Sequence, residues 1–359
     1  VIDMGATPVK LHVVKTPVSE GIVRPGDVLE GRYRLQQLIG DGGMGTVFLA
    51  EHVLIKRRVA IKVLHPELAR DADVVERFMN EARAAGTLGH PNIVESTDMG
   101  FARHDVPYIV FEYLDGSLLS DEIYRLGGLT VRRAVKIAHQ IASALEAAHR
   151  ANIIHRDLKS DNIFLTDRED ALDVVKVLDF GISRFLEAEQ DWTGRGSGVA
   201  NKRNSTMMGT PEFMAPEQIM APERVDARTD IYALGVVLYE MLAGRTPLLN
   251  DKTDVHKVLH EIILDRPPPL AREDLPAGFA DMLFDKLLAK DPEARYQTMS
   301  EVQAALDAFT SVMTRKTLDN QQPPLPAVAA PVVLSPPPRR RWPWLLAALV
   351  VLGGAGAAT

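Results

Sequence analysis

The chain has 359 residues, 46% of them apolar and 25% charged, with a formal net charge of -7 and no cysteine. That length suggests two or three units, one of them able to bury a large core. The acidic balance argues against a nucleic-acid partner, and the missing cysteines exclude disulfides, thiolate chemistry and cysteine-ligated zinc.

The chain starts at Val1, which reads as a fragment or a non-standard start, and residues 1–29 form a mixed, polar tail with no secretory core. Tyr33 to Ile39 and Thr46 to Ala50 read as strands around a glycine-rich turn, and Arg58 to Leu64 as a third strand rich in Val and Ile. From Asp73 to Leu88 the spacing turns helical, with Val75, Phe78, Met79, Ala82 and Ala85 on one face. Strand character returns at Ile93 to Thr97 and Pro107 to Tyr113. Beyond Gly116 the pattern is mostly helical. Thr130 to Arg150 carries an apolar stripe, and Asp230 to Ala243 is apolar nearly all round, as a core helix would be. Phe279 to Ala289 and Ser300 to Phe309 are amphipathic. These elements predict an α+β protein of two lobes, a β-rich one at 30–112 and a helical one at 113–312, hinged near Glu112 to Asp115.

Residues 313–341 read as a Pro-rich linker ending in Arg339, Arg340 and Arg341. Trp342 to Thr359 carries no charge and as a helix would reach roughly 27 Å, close to the hydrocarbon core of a bilayer. Trp342 and Trp344 sit where interfacial aromatics belong, and the arginines put that end in the cytoplasm. The expectation is a single membrane span, cut short at its far end, with the globular part on the cytoplasmic side of the plasma membrane.

Gly40-Asp41-Gly42-Gly43-Met44-Gly45-Thr46-Val47 fits G-x-G-x-x-G-x-V between two strands. Glycine lets a backbone approach phosphate oxygens closely. No Lys-Ser/Thr pair and no helix follow, so neither a P-loop nor a Rossmann turn fits. Lys62 lies inside the apolar strand Val59-Ala60-Ile61-Lys62, and an inward lysine there needs a carboxylate. Glu81 beside the Ala82/Ala85 face is the candidate, with Glu76 competing. His155-Arg156-Asp157-Leu158-Lys159-Ser160-Asp161-Asn162 gathers two acids, two cations and an amide in one loop. Asp179-Phe180-Gly181 follows the strand Val174 to Leu178. A carboxylate at that strand end suits a hard cation such as Mg²⁺, with Asn162 as a second oxygen ligand.

With Ala215-Pro216-Glu217, these motifs stand in the order of the protein kinases. Over roughly residues 30–312 the sequence resembles the eukaryotic-like serine/threonine kinases of bacteria. The resemblance implies a bilobal kinase fold and Mg²⁺-ATP, with Mn²⁺ as an alternative ion. It implies that Asp157 accepts the hydrogen bond of a substrate hydroxyl, that Lys159 neutralises the moving phosphoryl, and that Asn162 and Asp179 hold metal. Lys62, fixed by Glu81, would bind the α- and β-phosphates. Ile39, Gly40, Asp41, Gly42, Gly43, Met44 and Gly45 would cover the nucleotide. Val47 and Ala60 would form the adenine roof and Leu165 its floor. Glu112 and Leu114 would offer hinge backbone, Phe111 would be the gatekeeper, Asp115 would reach the ribose, and His155 would pack against Phe180. Lys159, and the shelf from Gly209 to Glu217 with Thr210 touching Asp157 and Lys159, imply serine/threonine rather than tyrosine substrates. Glu217 would pair with Arg295, and Asp230 would anchor the catalytic loop.

In such kinases the arginine before the catalytic aspartate, here Arg156, meets a phosphate on the activation segment. Asp191 to Thr206 is polar and Gly-rich. Thr206 or Ser205 is the expected site of autophosphorylation, with Thr193 next. The implied partners are proteins bearing Ser or Thr, a second copy of the chain, and the membrane. The rival readings are a catalytically silent scaffold, a small-molecule kinase and a membrane adaptor. The first predicts a missing Lys, Asp or Asn, and the second a missing shelf; neither loss is seen.

Overall fold

A computed structural model describes residues 23–168, 171–179, 211–248 and 255–321, with backbone alone at 255–256 and 314–321. Six strands form an antiparallel sheet: β1 (Val28–Leu29), β2 (Tyr33–Asp41), β3 (Gly45–His52), β4 (Arg58–Leu64), β5 (Ser96–Phe101) and β6 (Pro107–Glu112), in spatial order β1-β2-β3-β4-β6-β5. The glycines of the 40–45 stretch turn β2 into β3. Register then places Val47 opposite Lys62 and Ala60 opposite Phe111.

Helix α1 (Ala72–Leu88) starts where the Asp71 carboxylate accepts from the Asp73 and Val74 amides, and it stops at Gly89 in the left-handed region. Its Phe78, Ala82 and Ala85 join Ile61, Val63 and Ile109 of the sheet in one apolar core. That phase turns Glu81 inward and leaves Glu76 exposed.

The second lobe is built on helices α2 (Leu119–Leu126), α3 (Val131–Arg150), α4 (Pro216–Met220), α5 (Ala227–Ala243) and α6 (Val255–Leu264). They are followed by α7 (Phe279–Asp281), which runs on as a π-helical turn over Met282–Leu287, and by α8 (Met299–Gln321). As its sequence predicts, α5 is buried on nearly every side. Gly235 lets it touch the π-helical turn, since a Cβ there would lie 2.8 Å from Leu287 Cβ.

Four expectations are corrected. The strand placed at Ile93 to Thr97 lies instead at Ser96–Phe101. Ile93 and Val94 lie outside the sheet, on a segment bonded to Val177, and are buried in the cores of the helical and the strand-rich lobe respectively. The helical lobe carries a small sheet of β7 (Gly116–Leu118), β8 (Ile163–Arg168) and β9 (Ala171–Val177), of which only β9 was expected. The supposed tail 1–29 includes β1, whose Leu29 is buried. Helix α8 continues to Gln321, beyond the expected linker boundary at 313. Among the described residues no helix is long and apolar enough to cross a membrane, and the predicted span 342–359 lies outside them. The site residues all belong to the first of the chain's two units, which ends at Lys316.

Candidate active site

Lys62 leaves the centre of β4 on the face covered by α1. Its Nζ donates to Glu81 Oε1 at 3.0 Å and lies 3.0 Å from Asp179 Oδ1. Burial works against the Lys62 charge, but the Asp179 and Glu81 carboxylates outweigh it and raise the ammonium above the usual lysine range. Burial likewise pushes the Glu81 carboxyl up, with Lys62 opposing. Asp179 keeps about half of its side-chain surface (47%) while the other two are nearly covered. The triad is thus rooted in the core and opens at Asp179, whose backbone lies in the left-handed region at φ 40°.

The loop after α3 supplies the second half. Asp230, fully buried in the first turn of α5, accepts from the backbone amides of His155 and Arg156 at 2.8 Å each. His149 Nε2 lies 2.8 Å from the same carboxylate. These bonds hold Arg156 at φ 64°, a strained setting for a side chain of that size. The Arg156 carbonyl accepts from Gln218 of α4 at 3.0 Å. The buried His155 ring spans the loop: Nδ1 accepts from the Asp157 amide at 3.4 Å, and Nε2 donates to the Leu178 carbonyl at 3.1 Å. It therefore ties the segment before Asp157 to the one before Asp179. Phe180, its expected packing partner, lies outside the described residues.

Lys159 Nζ sits 3.5 Å from Asp157 Oδ2, both side chains about one-fifth exposed. Asn162 Nδ2 donates to the Asp157 carbonyl at 2.8 Å and approaches its Oδ2 at 3.4 Å. That leaves the Asn162 carbonyl oxygen for a cation. One amide oxygen and one carboxylate are hard donors, and a magnesium ion bridging phosphates takes one or two protein oxygens of this kind. Among the described residues no cluster of three or more His, Cys, Asp or Glu offers a self-sufficient metal cage. The donor set fits an ion brought in with its phosphates.

Of the residues expected to enclose a nucleotide, Phe111 is buried in the core of the strand-rich lobe, with Leu114 and Ala60 packed against that core. Leu165 of β8 is buried in the core of the other lobe. Gly116 admits β8 where a Cβ would lie 2.0 Å from the Leu165 carbonyl oxygen. The Glu112 carboxylate accepts from Lys176 Nζ at 2.6 Å and from the Glu95 amide at 3.0 Å. The expected support pair is present: Arg295 Nη1 and Nη2 donate to Glu217 Oε1 and Oε2 at 2.7 and 2.8 Å. Thr193, Ser205, Thr206 and Thr210 lie outside the described residues.

Sequence reasoning missed Lys176 and His65. Lys176 stands in an apolar run, VVKVL, of the same kind as the VAIKVL that drew notice to Lys62. His65 bonds a backbone carbonyl of the glycine loop, a contact that leaves no sequence signature.

The family model for the protein kinase domain matches residues 33–306. Serine/threonine-protein kinase Pkn1 of Myxococcus xanthus is 42% identical over 293 residues, which is 80% of this chain and 40% of that protein. Serine/threonine-protein kinase PknB of Mycobacterium tuberculosis is 40% identical over 281 residues, 77% of this chain and 43% of that one. The chain thus spans about two fifths of the length of the curated relatives it matches. A crystal structure of the Mycobacterium tuberculosis PknI kinase domain superposes with a TM-score of 0.59 at 27% identity, covering 80% of this chain and 99% of that one.

Proposed function

The chain belongs to the protein kinase family, and from that premise we propose that it transfers the γ-phosphoryl group of ATP to serine and threonine hydroxyls of proteins. The observation that carries the reading is the convergence of Lys62 on Glu81 and Asp179 at 3.0 Å each. Two carboxylates, from α1 and from the segment after β9, are assembled around one ammonium from β4. Phosphoryl transfer asks for this kind of placement and charge neutralisation more than for covalent help.

Lys62 binds the α- and β-phosphates, and Glu81 keeps its ammonium in place. Asp157 accepts the substrate hydroxyl's hydrogen bond and aligns it for in-line attack, while Lys159 faces the charge on the moving phosphoryl. Asn162 and Asp179 hold Mg²⁺, or Mn²⁺ in its place. When bound, that ion would act as a Lewis acid and offset phosphate charge. Glu112 and Leu114 offer backbone groups to the adenine edge, with its side chain turned away to Lys176 in the case of Glu112. Val47, Ala60 and Leu165 enclose the ring, Phe111 limits the space behind it, and Asp115 takes the ribose. Thr210 belongs to the shelf that admits the acceptor.

The same reading includes autophosphorylation from ATP on Thr206, Ser205 or Thr193, with that phosphate received by Arg156, and a second copy of the chain as a partner. It includes a single membrane span at 342–359, supported by the arginine cluster and tryptophans before an uncharged stretch. The test is transfer of labelled phosphate from ATP by the full chain to a Ser/Thr-rich protein. Asp157→Asn is expected to lower the rate by at least a hundredfold with ATP binding retained. Equal rates in the two proteins would refute the role of Asp157, and ATP binding without transfer in either would favour a scaffold.

A further inference from the structure

The glycine-rich turn is not left to itself. His65, the first residue beyond β4, holds it twice. Its amide donates to the Met44 carbonyl at 2.9 Å, and its Nε2 donates to the Gly42 carbonyl at 2.8 Å. The same Nε2 is 3.7 Å from Asp41 Oδ1, which also accepts from Thr46 Oγ1 at 3.1 Å. The turn is closed from within by Gly42 N donating to Gly45 O at 3.0 Å. Gly45 is pressed onto β4 so closely that a Cβ would lie 2.4 Å from the Val63 carbonyl oxygen.

A trans peptide is planar, so its C=O and the following N–H point in opposite directions. Fixing Gly42 O toward His65 therefore fixes the Gly43 N–H away from it. Between two glycines that peptide would otherwise turn over at little steric cost, because glycine accepts either sign of φ. A flipped unit would present a carbonyl oxygen where phosphate needs a donor. The Asp41 carboxylate is a second hazard beside phosphates, and the bond from Thr46 Oγ1 restrains it.

We propose that His65 is a positioning residue for nucleotide binding: its ring locks the Gly42–Gly43 peptide so that the Gly43 amide faces the ATP phosphates. The proposal rests on the kinase reading above, in that the turn must cover a nucleotide. It predicts a defect confined to the phosphates. A loop already held in its binding geometry loses less conformational freedom when the ligand arrives.

The experiment uses the full chain with His65→Ala and His65→Gln. Isothermal titration gives the affinity for Mg-ADP and for adenosine, and phosphate transfer gives KM for ATP and kcat. Loss of one such hydrogen bond corresponds to about a three- to tenfold change. His65→Ala is expected to weaken ADP and raise KM for ATP by about that factor, leaving adenosine within about twofold. In His65→Gln the amide nitrogen reaches the same carbonyl, so ADP affinity is expected to return to within about twofold of wild type. Unchanged or tighter ADP binding in His65→Ala overturns the proposal. So does an equal loss for adenosine, which would mean general damage to the lobe, or failure of the glutamine to restore ADP binding. If the unaltered protein binds no ADP, the kinase reading itself falls and the proposal falls with it. A wild type that binds ADP separates that outcome from failure of the His65 argument alone.

Discussion

Replacing Asp230 by Asn changes one oxygen to an NH₂ group at a fully buried position. Asp230 Oδ2 accepts from the His155 amide and lies beside His149 Nε2, and Oδ1 accepts from the Arg156 amide, all at 2.8 Å. The asparagine oxygen can take the first pair only by aiming its NH₂ at the Arg156 N–H, donor against donor. Bonds to a charged acceptor are worth about 1.5–3 kcal/mol against about 0.5–1.5 for neutral ones, so the two that survive each lose about 1 kcal/mol. The orphaned Arg156 N–H costs a further 1–3 kcal/mol or so. The sum is a destabilisation of about 3–5 kcal/mol, read as a lower urea midpoint at unchanged m-value by circular dichroism of the full chain. The effect reaches the chemistry as well. Arg156 holds φ 64° against its steric preference, and the bond to Asp230 Oδ1 is the one that is lost. Relaxation there moves Asp157 next door, and a displacement of about 1 Å costs on the order of a hundredfold in rate. The expected signature is a kcat lower by about that factor with KM for ATP within about twofold. A stability loss below about 1 kcal/mol with normal kcat would refute the reasoning. So would a KM that rises in step with the fall in kcat.

Arg295→Ala removes the partner of Glu217 together with donors to the carbonyls of Ala289, Arg228 and Lys290. Breaking a buried pair from one side costs about 3–5 kcal/mol, so the full chain is expected to unfold at a urea concentration lower by more than 1 M or so; a midpoint unmoved in that titration would count against the pair. Gly116→Ala sets a Cβ 2.0 Å from the Leu165 carbonyl at a residue with φ 156°. Neither backbone can give way freely, so a loss of about 1–3 kcal/mol and weaker adenosine binding in the same titration are expected; wild-type values for both would contradict the close approach of β7 and β8.

What the sequence disclosed follows from how each feature is encoded. Glu81 was separable from Glu76 because helical phase is a local property, and the Ala82/Ala85 face does turn inward. Helix α5 was legible because burial on every side needs apolar residues on every side. Strand β5 was misplaced because Ile93 and Val94 are apolar for a different reason, their packing into the cores of the helical and the strand-rich lobe respectively, while the true strand STDMGF lies at a sheet edge and keeps no alternating pattern. Strand β7 was missed because GSL is too short for any period to register, and β8 because only Ile163 and Leu165 of its six residues are buried. Lys176 carried the same signature as Lys62, but its partner Glu112 lies in the hinge 64 residues away, and no rule of spacing names it.

The charges of the site fall into two kinds. Those beneath it are saturated: Asp230 meets three donors, Arg295 meets Glu217 with both ends of its fork and three carbonyls besides, and all three residues are buried. Those toward the surface, at Asp157, Lys159 and Asp179, are less covered. Lys159 is 3.5 Å from Asp157, Asp179 lies 3.0 Å from Lys62 while half exposed, and the glycine turn is tied to the end of β4 by one imidazole bond and one amide bond from His65. A buried ion pair adds little net stability over apolar residues of equal size, so the first kind is explained by position and not by strength. Saturated bonds fix the Arg156 backbone and the base of the lobe, and only a fixed base lets weak upper contacts be exchanged for phosphate oxygens without loss of register. A cleft held as tightly as its base would have to break about 3–5 kcal/mol of pairing at each charge before a triphosphate could enter, and the half-exposed Asp179 is where that cost is avoided.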